Sequence, residues 1–350
     1  MLKRHKFNPI IKPSMIKPSM EGYNVLGAFN PGATIFNKQV ILLLRVAENC
    51  LMKKGFYTIP YYEFNNGKGE PKILEIPNTD PNVIPKDSRG IFYNGRDYLS
   101  SISHIRIARS TNGINFIIDA EPFIFPNMES EGFGVEDARV SKIGDTYYIN
   151  YTAVSSDGYV TMLAETKDFK TIERKGIIFP PLNKDVVIFE EKVKGKYIAL
   201  HRPDNKGFGL PSIWYSESPD LIHWGNHKCL LRPDGSSFES QKIGGGPPPI
   251  KTKDGWLIIY HGKGDNGIYT LRLLLLDLKN PFKILKIGKY PVLQPEELYE
   301  KKGFFNNVVF TNGLVIMPDN RVFIYYGVCD ESVCLAITSI KDLLIHINTG

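Results

Sequence analysis

One local pattern recurs along this chain and limits its fold more than any other feature: an apolar strand, a Gly or Asp turn, and an aromatic-rich strand ending in a polar group. The turns are Lys142-Ile-Gly-Asp, Lys194-Gly-Lys, Lys253-Asp-Gly and Pro318-Asp-Asn. Strand-like segments return at residues 40–46, 147–152, 197–201, 256–261 and 322–327, and helical periodicity is scarce. The pattern is a repeated hairpin. A second echo follows it, in Ala108-Arg-Ser-Thr-Asn-Gly-Ile-Asn-Phe, Ala164-Glu-Thr-Lys-Asp-Phe and Tyr215-Ser-Glu-Ser-Pro-Asp-Leu-Ile-His-Trp: an outer strand and an Asx-type turn closed by an aromatic. Such units, recurring about every 50 to 65 residues, cannot bury both faces alone, and closing a ring of four-stranded sheets removes their exposed edges. The repeat therefore predicts an all-β chain, a single five-bladed β-propeller over residues 1–350 with 1–25 as an irregular N-terminal arm. A β-sandwich or β-helix leaves the recurring hairpin and its outer strand unexplained.

At 350 residues the chain is long enough for a large core without covalent staples. Cys50 and Cys229 stand alone, and Cys329 and Cys334 lack the usual zinc or redox spacing, so neither a disulfide framework nor a metal site is expected. These thiols suit a reducing cytoplasm. The basic start lacks an apolar run of signal-peptide length, and no stretch approaches the roughly 18 apolar residues of a membrane span, so a soluble intracellular protein is expected. The formal charge of +6 is spread along the chain, which gives nucleic-acid binding little support and leaves an anionic small substrate open. The abundant Tyr and Phe suit stacking on sugar rings and sheet packing alike.

In a propeller the inner strands bring polar ends to the mouth of a central channel. The residues so placed are Asn30 and Arg45 in the first unit, Asp137 and Arg139 in the second, Lys184 and Arg202 in the third, Lys242 and His261 in the fourth, and Asp330 in the fifth. Gly134-Val-Glu-Asp-Ala-Arg sets a carboxylate pair and an arginine before a strand expected to begin at Val140, which would hold Asp137 rigidly, as acid catalysis requires. A surface ion pair of Asp137 with Arg139 capping a turn is the alternative reading. Lys242-Ile-Gly-Gly-Gly-Pro-Pro-Pro allows close approach of backbone to a ligand and is stiffened by its prolines. It lacks the helix that would make it a P-loop.

Phe29-Asn-Pro-Gly-Ala, Leu44-Arg-Val-Ala-Glu, Ser103-His-Ile-Arg-Ile-Ala-Arg-Ser, Gly134-Val-Glu-Asp-Ala-Arg, Leu200-His-Arg-Pro, Lys242-Ile-Gly-Gly-Gly-Pro-Pro-Pro-Ile, Gly255-Trp-Leu-Ile-Ile-Tyr-His-Gly and Tyr325-Tyr-Gly-Val-Cys-Asp occur in this order. With these motifs the chain resembles, over nearly its whole length, the mannoside phosphorylases and related mannosidases of glycoside hydrolase family 130. The resemblance implies a five-bladed propeller with the sugar site at the channel mouth. It implies Asp137 as proton donor, and Asn30, Arg45 and Asp330 as contacts to the non-reducing mannose, with Arg106 and His261 also on the substrate side. Glu136 and Arg139 support them from behind. Lys184, Arg202 and Lys242 fall where phosphorylase members bind inorganic phosphate, and no metal or organic cofactor is implied. The chain departs from the family pattern at Ala138, Lys184 and Glu191.

An inverting glycosidase needs an acid and a water-activating base, whereas a phosphorylase needs the acid and cations that orient phosphate. Arg202 and Lys242 suit the second role. Glu190, Glu191 and Glu239 lie near them in sequence, and one pointing inward would supply the hydrolase's base. The expected activity is inverting phosphorolysis of a β-mannoside, with β-1,2-mannoside hydrolysis on the same scaffold as the alternative and a non-catalytic sugar-binding propeller as a remoter one. The expected partners are a β-mannoside oligosaccharide and phosphate, with no nucleic acid and no membrane. The arm and the propeller edges offer surface for a homo-oligomer.

Overall fold

Residues 2–204 and 207–349 are described in a computed structural model. Among them the chain is all-β: helix is confined to the 3-10 turns Pro13–Met15 and Glu129–Glu131, one turn at Leu298–Lys301 and a closing helix, Ile340–Thr349. Five larger antiparallel sheets follow in chain order. The first joins Tyr23–Phe36, Gln39–Cys50, Ile102–Ser110 and Ile117–Ile118, and the second Val135–Ile143, Thr146–Ser155, Gly158–Thr166 and Glu173–Phe179. The third joins Asn183–Ile188, Tyr197–Pro203, Ile213–Ser218 and Gly225–Leu231. The fourth joins Lys242–Gly245, Trp256–Lys263, Tyr269–Leu276 and Ile284–Ile287, with Ile250–Lys251 also on Trp256–Lys263. The fifth joins Val309–Ile316, Arg321–Val328, Ser332–Ser339 and Lys3–Arg4.

The Gly144-Asp145 turn is one that the repeat selects, and Asn37-Lys38 is a second two-residue turn that the sequence reading did not single out. Ile143 pairs with Thr146 across Gly144-Asp145, and Phe36 with Gln39 across Asn37-Lys38, where φ is 46° and 62°. Two consecutive positive φ values twist a two-residue loop in the sense of the flanking strands.

Each sheet packs on the next, and the fifth returns to the first. Tyr23–Phe36 contacts both Val135–Ile143 and Val309–Ile316; Thr146–Ser155 contacts Asn183–Ile188, Tyr197–Pro203 contacts Lys242–Gly245, and Tyr269–Leu276 contacts Val309–Ile316. A buried apolar core fills each of the five seams. Val40-Ile-Leu-Leu-Leu shows why the strands read as continuous apolar runs. Successive side chains alternate between faces, so Ile41 and Leu43 enter the seam with the second sheet while Leu42 and Leu44 enter the seam with the fifth. Each such fully buried aliphatic side chain contributes about 1.5–3 kcal/mol relative to exposure. The first strands meet backbone to backbone. A Cβ on Gly32 would lie 2.6 Å from the Ala138 carbonyl oxygen, and one on Gly313 would lie 2.4 Å from the Ala33 nitrogen, so both positions require glycine.

Two regions depart from the sequence expectation. The N-terminal arm is not irregular throughout: Lys3–Arg4 forms the fourth strand of the last sheet, Ile11 and Ile16 are buried in the seam between the fifth and first sheets, and Arg4 pairs with buried Glu300 at 2.7 Å. Both ends of the chain are thereby tied into one sheet. Between Cys50 and Ile102 the chain leaves the repeat to form a hairpin, Phe56–Asn65 with Lys68–Pro77, and a three-stranded sheet, Val83–Asp87, Gly90–Tyr93 and Arg96–Leu99. Its small core centres on Ile59, Ile76 and Ile91. Among the described residues no helix is long and apolar enough to cross a membrane, and the four cysteines are free thiols.

Candidate active site

The first strands of three successive sheets carry the same irregularity. Pairing slips between Phe29 and Gly32, between Glu136 and Arg139, and between Lys184 and Val187. At each slip one residue adopts the left-handed conformation: Asn30 at φ 47°, Asp137 at 48° and Asp185 at 55°. Asn and Asp tolerate this region better than other L residues, and a bulge re-aims its side chain out of the alternating pattern. In the fifth sheet the slip between Thr311 and Gly313 holds Asn312, whose Nδ2 donates to the Asn30 carbonyl at 3.0 Å. Asp137 thus lies inside a strand that starts at Val135, on its bulge, and not at the mouth of a strand starting at Val140.

Around Asp137 the structure gathers residues from three sheets. Asn30 Nδ2 donates to Asp137 Oδ1 at 3.0 Å, and Arg45 donates through Nη1 to the same oxygen at 3.3 Å and through Nη2 to Glu136 Oε1 at 2.8 Å. Lys184 Nζ lies 3.7 Å from Glu136 Oε2. Arg139 does not pair with the Asp137 carboxylate. It turns inward, donating to the Asp137, Gly245 and Gly246 carbonyls at 3.1, 2.9 and 3.3 Å and to Asp185 Oδ1 at 3.3 Å. Burial disfavours a charged Asp137, yet Arg45, Lys184 and Arg139 together hold its carboxyl below the usual range. Asp330 behaves oppositely: burial, with Asp137 and Glu136 nearby, outweighs Arg45 and Arg89 and pushes it up to about 6.

Below this pair lies a cationic end. Asp185 is buried among Arg139, Arg202 Nε at 3.0 Å and His261 Nε2 at 3.4 Å. Burial alone would raise its pKa, but Arg202, His261 and Arg139 hold it well below the carboxylate range. His261 is pushed down to about 4, mainly by burial. Arg202's terminal nitrogens and Lys242 Nζ have no protein hydrogen-bond or carboxylate partner among the described residues; Lys242 lies only over the Tyr269 ring, at 5.4 Å. Burial and the neighbouring Arg202 and Lys184 bring Lys242 down to about 7. A cavity of about 100 Å³ lies against Asn30, Arg45, Asp137, Lys184, Asp185, Arg202, Lys242, His261 and Asp330. A second, of about 290 Å³, joins it around Arg45, Arg89, Lys184 and Asp330 and extends under the inserted sheet to Lys86, Asp97 and Tyr98.

Comparison with known proteins places this geometry in a family. A family model for glycoside hydrolase 130, described as beta-1,4-mannooligosaccharide phosphorylase, matches residues 79–348. The chain belongs to glycoside hydrolase family 130. It is 43% identical over 347 residues to the beta-1,2-mannobiose phosphorylase of Listeria innocua, covering 97% of each chain. It is 41% identical over 249 residues to the 1,2-beta-oligomannan phosphorylase of a Thermoanaerobacter species, covering 70% of this chain and 82% of the relative. The structure of the Listeria innocua enzyme in complex with beta-1,2-mannobiose superposes with a TM-score of 0.96 over 100% of this chain and 99% of that one.

Some expected residues fall outside the cavities of this family 130 chain. Arg106 is buried in the third strand of the first sheet, where Nε donates to His104 Nε2 at 3.0 Å beside Glu48; it lines neither cavity. Arg106 stands opposite Leu44, and alternation turns that face to the seam with the fifth sheet. None of the three glutamates considered as a base lines the cavities. Glu239 is buried against Arg272 at 2.7 Å and accepts from the Tyr260 hydroxyl at 3.0 Å. Glu190 is exposed and accepts from the Lys142 nitrogen at 2.8 Å, and Glu191 pairs with Lys251 on the surface. Glu190 and Glu191 follow the far end of the strand Asn183–Ile188 from Lys184, and Glu239 lies in the turn before Lys242–Gly245, held by Arg272 and Tyr260. Asp185 and Arg89 were missed. Asp185 could have been found by aligning Lys184-Asp185 with Glu136-Asp137, since both place an Asp on the bulge, whereas Arg89 lies outside every repeat.

Proposed function

We propose that this chain is an inverting β-mannoside phosphorylase, one catalytic domain built as a five-bladed β-propeller whose blades are the five sheets. The closed sequence of seams supports the propeller. The observation that carries the activity is the cationic end itself: Arg139 and Arg202 share the single carboxylate Asp185, and Lys242 Nζ and the terminal nitrogens of Arg202 face the cavity with no carboxylate partner among the described residues, a surplus of buried positive charge that calls for an anionic ligand. Asp185, the carboxylate paired with Arg202 at that end, is neutralised by Arg139 and Arg202 and does not stand ready as a water-activating base. We read the substrate as a β-1,2-mannoside, the linkage named for the two relatives above. A cytoplasmic location fits the free thiols.

In this reading Asn30, Arg45 and Asp330 hold the non-reducing mannose and Asp137 protonates the glycosidic oxygen, directly or through a sugar hydroxyl. Phosphate on Arg202, Lys242 and Lys184 attacks the anomeric carbon from the opposite face, releasing α-mannose 1-phosphate and the shortened acceptor. In the free enzyme the cations keep Asp137 ionised. Arrival of a phosphate dianion offsets their field and raises the carboxyl toward its acid form, so the acid is armed only when the nucleophile is in place.

The test is product analysis with β-1,2- and β-1,4-mannobiose, with and without inorganic phosphate. Mannose 1-phosphate should form only with phosphate, and the β-1,2 disaccharide should be the better substrate. Free mannose accumulating at the same rate in phosphate-free buffer would establish hydrolysis instead. Phosphate affinity should also depend on pH. Lys242 is charged below about 7 and neutral above it in the free enzyme, so binding of the dianion should weaken as pH rises past that point, by up to about tenfold per unit. Calorimetric titration between pH 6 and 9 measures this, and Lys242→Met should flatten the profile.

A further inference from the structure

We propose that the inserted three-stranded sheet supplies a fourth phosphate-binding cation, Arg89, so that the nucleophile's site is completed from outside the five sheets. The proposal rests on the phosphorylase reading above. Ser88 and Arg89 form the turn between Val83–Asp87 and Gly90–Tyr93, and the Ser88 hydroxyl donates to the Phe304 carbonyl at 3.1 Å, tying the turn to the segment before the fifth sheet. Asp87 grips one edge of the guanidinium, accepting Nε at 3.1 Å and Nη2 at 2.6 Å, while the Phe305 ring lies 4.4 Å from its centre. That hold fixes the plane of the group and leaves Nη1 without a protein partner among the described residues. Arginine has five N–H donors in a rigid fork, and a fork with one edge anchored and one free suits a second anion.

Position completes the argument. Arg89 lines both cavities and is the one residue of the insert that reaches the lower one, beside Arg202, Lys242 and Tyr269. Its charge helps to depress Lys242 and opposes the rise of Asp330, so it acts on the phosphate end and on the carboxylate facing it. The side chain is 45% exposed.

The experiment compares wild type, Arg89→Ala, Arg89→Lys and Arg96→Ala in phosphorolysis of β-1,2-mannobiose, with hydrogen exchange of residues 83–99 followed with and without inorganic phosphate. Arg96→Ala removes the same charge from an exposed site on the same sheet. Arg89→Ala should raise the phosphate KM at least tenfold with a smaller change in the disaccharide KM, Arg89→Lys should recover part of the loss, and Arg96→Ala should match wild type. Phosphate should slow exchange over residues 83–99 in wild type and not in Arg89→Ala. If wild type requires phosphate but Arg89→Ala keeps its phosphate KM within twofold, this proposal fails while the phosphorylase reading stands. If Arg96→Ala raises the phosphate KM as much as Arg89→Ala, the effect is one of net charge and the specific contact is refuted. If wild type turns over equally without phosphate, both readings fall.

Discussion

Replacing Asp137 by asparagine should lower turnover about 10²-fold or more while leaving disaccharide and phosphate binding within a few-fold of wild type. The amide keeps the volume and can still accept from Asn30 and Arg45, which donate to the carboxylate at 3.0 and 3.3 Å, but it has no proton to give. General acids contribute about 10²–10⁴-fold, so loss of the proton dominates any change in packing. A substrate with an activated aryl leaving group needs little protonation and should recover much of the rate. Steady-state kinetics on the natural disaccharide and on an aryl β-mannoside separate the possibilities. An equal loss on both would mean that Asp137 positions the sugar and does not donate the proton, and no loss on either would remove it from the mechanism.

The second large effect is expected at Asp185. Asp185→Ala should destabilise the fold by about 3–5 kcal/mol and raise the phosphate KM, because it strands Arg139 and Arg202 in a buried site. Arg139 is 1% exposed and keeps only carbonyl oxygens as acceptors, while Arg202 Nε loses its one recorded partner. Asp185→Asn should fall between the two, since an acceptor remains and the charge does not. Urea unfolding followed by tryptophan fluorescence reads the stability, and Glu191→Ala is the control. Glu191 and Lys251 form an exposed pair, and such pairs are worth about 0–1 kcal/mol. A loss at Asp185 no larger than that at Glu191 would mean that water takes over the pairing of Arg139 and Arg202.

Much of the site was legible because the repeat marks it. Asp137 stands in a motif dense enough to single out, and Asn30, Arg45, Lys184, Arg202, Lys242, His261 and Asp330 occur at corresponding places in the units; all of them line one cavity. The Gly144-Asp145 turn was legible for a local reason, since Gly and Asp carry their own turn preferences. Arg106 lies outside the cavity because alternation along its strand puts it on the face of Leu44, turned to the seam with the fifth sheet, and Glu239 because it sits in the turn before Lys242–Gly245, where Arg272 and Tyr260 hold it. Only the pairing register reveals which face is which.

From the sequence alone came the all-β character, the repeating hairpin and the identity of the candidate acid, since these depend on turn chemistry, alternation and short motifs, all properties of neighbours along the chain. Tertiary structure decided the rest. It set Asp137 on a bulge at φ 48° instead of a strand end, turned Arg139 from that carboxylate to Asp185, brought Lys3–Arg4 back to the last sheet and laid the Cys50–Ile102 insert, with Arg89, over the cavity. Each of these depends on which distant segments share a seam. That choice is made by the burial of whole sheets against one another and leaves no mark on the residues next to it in the chain.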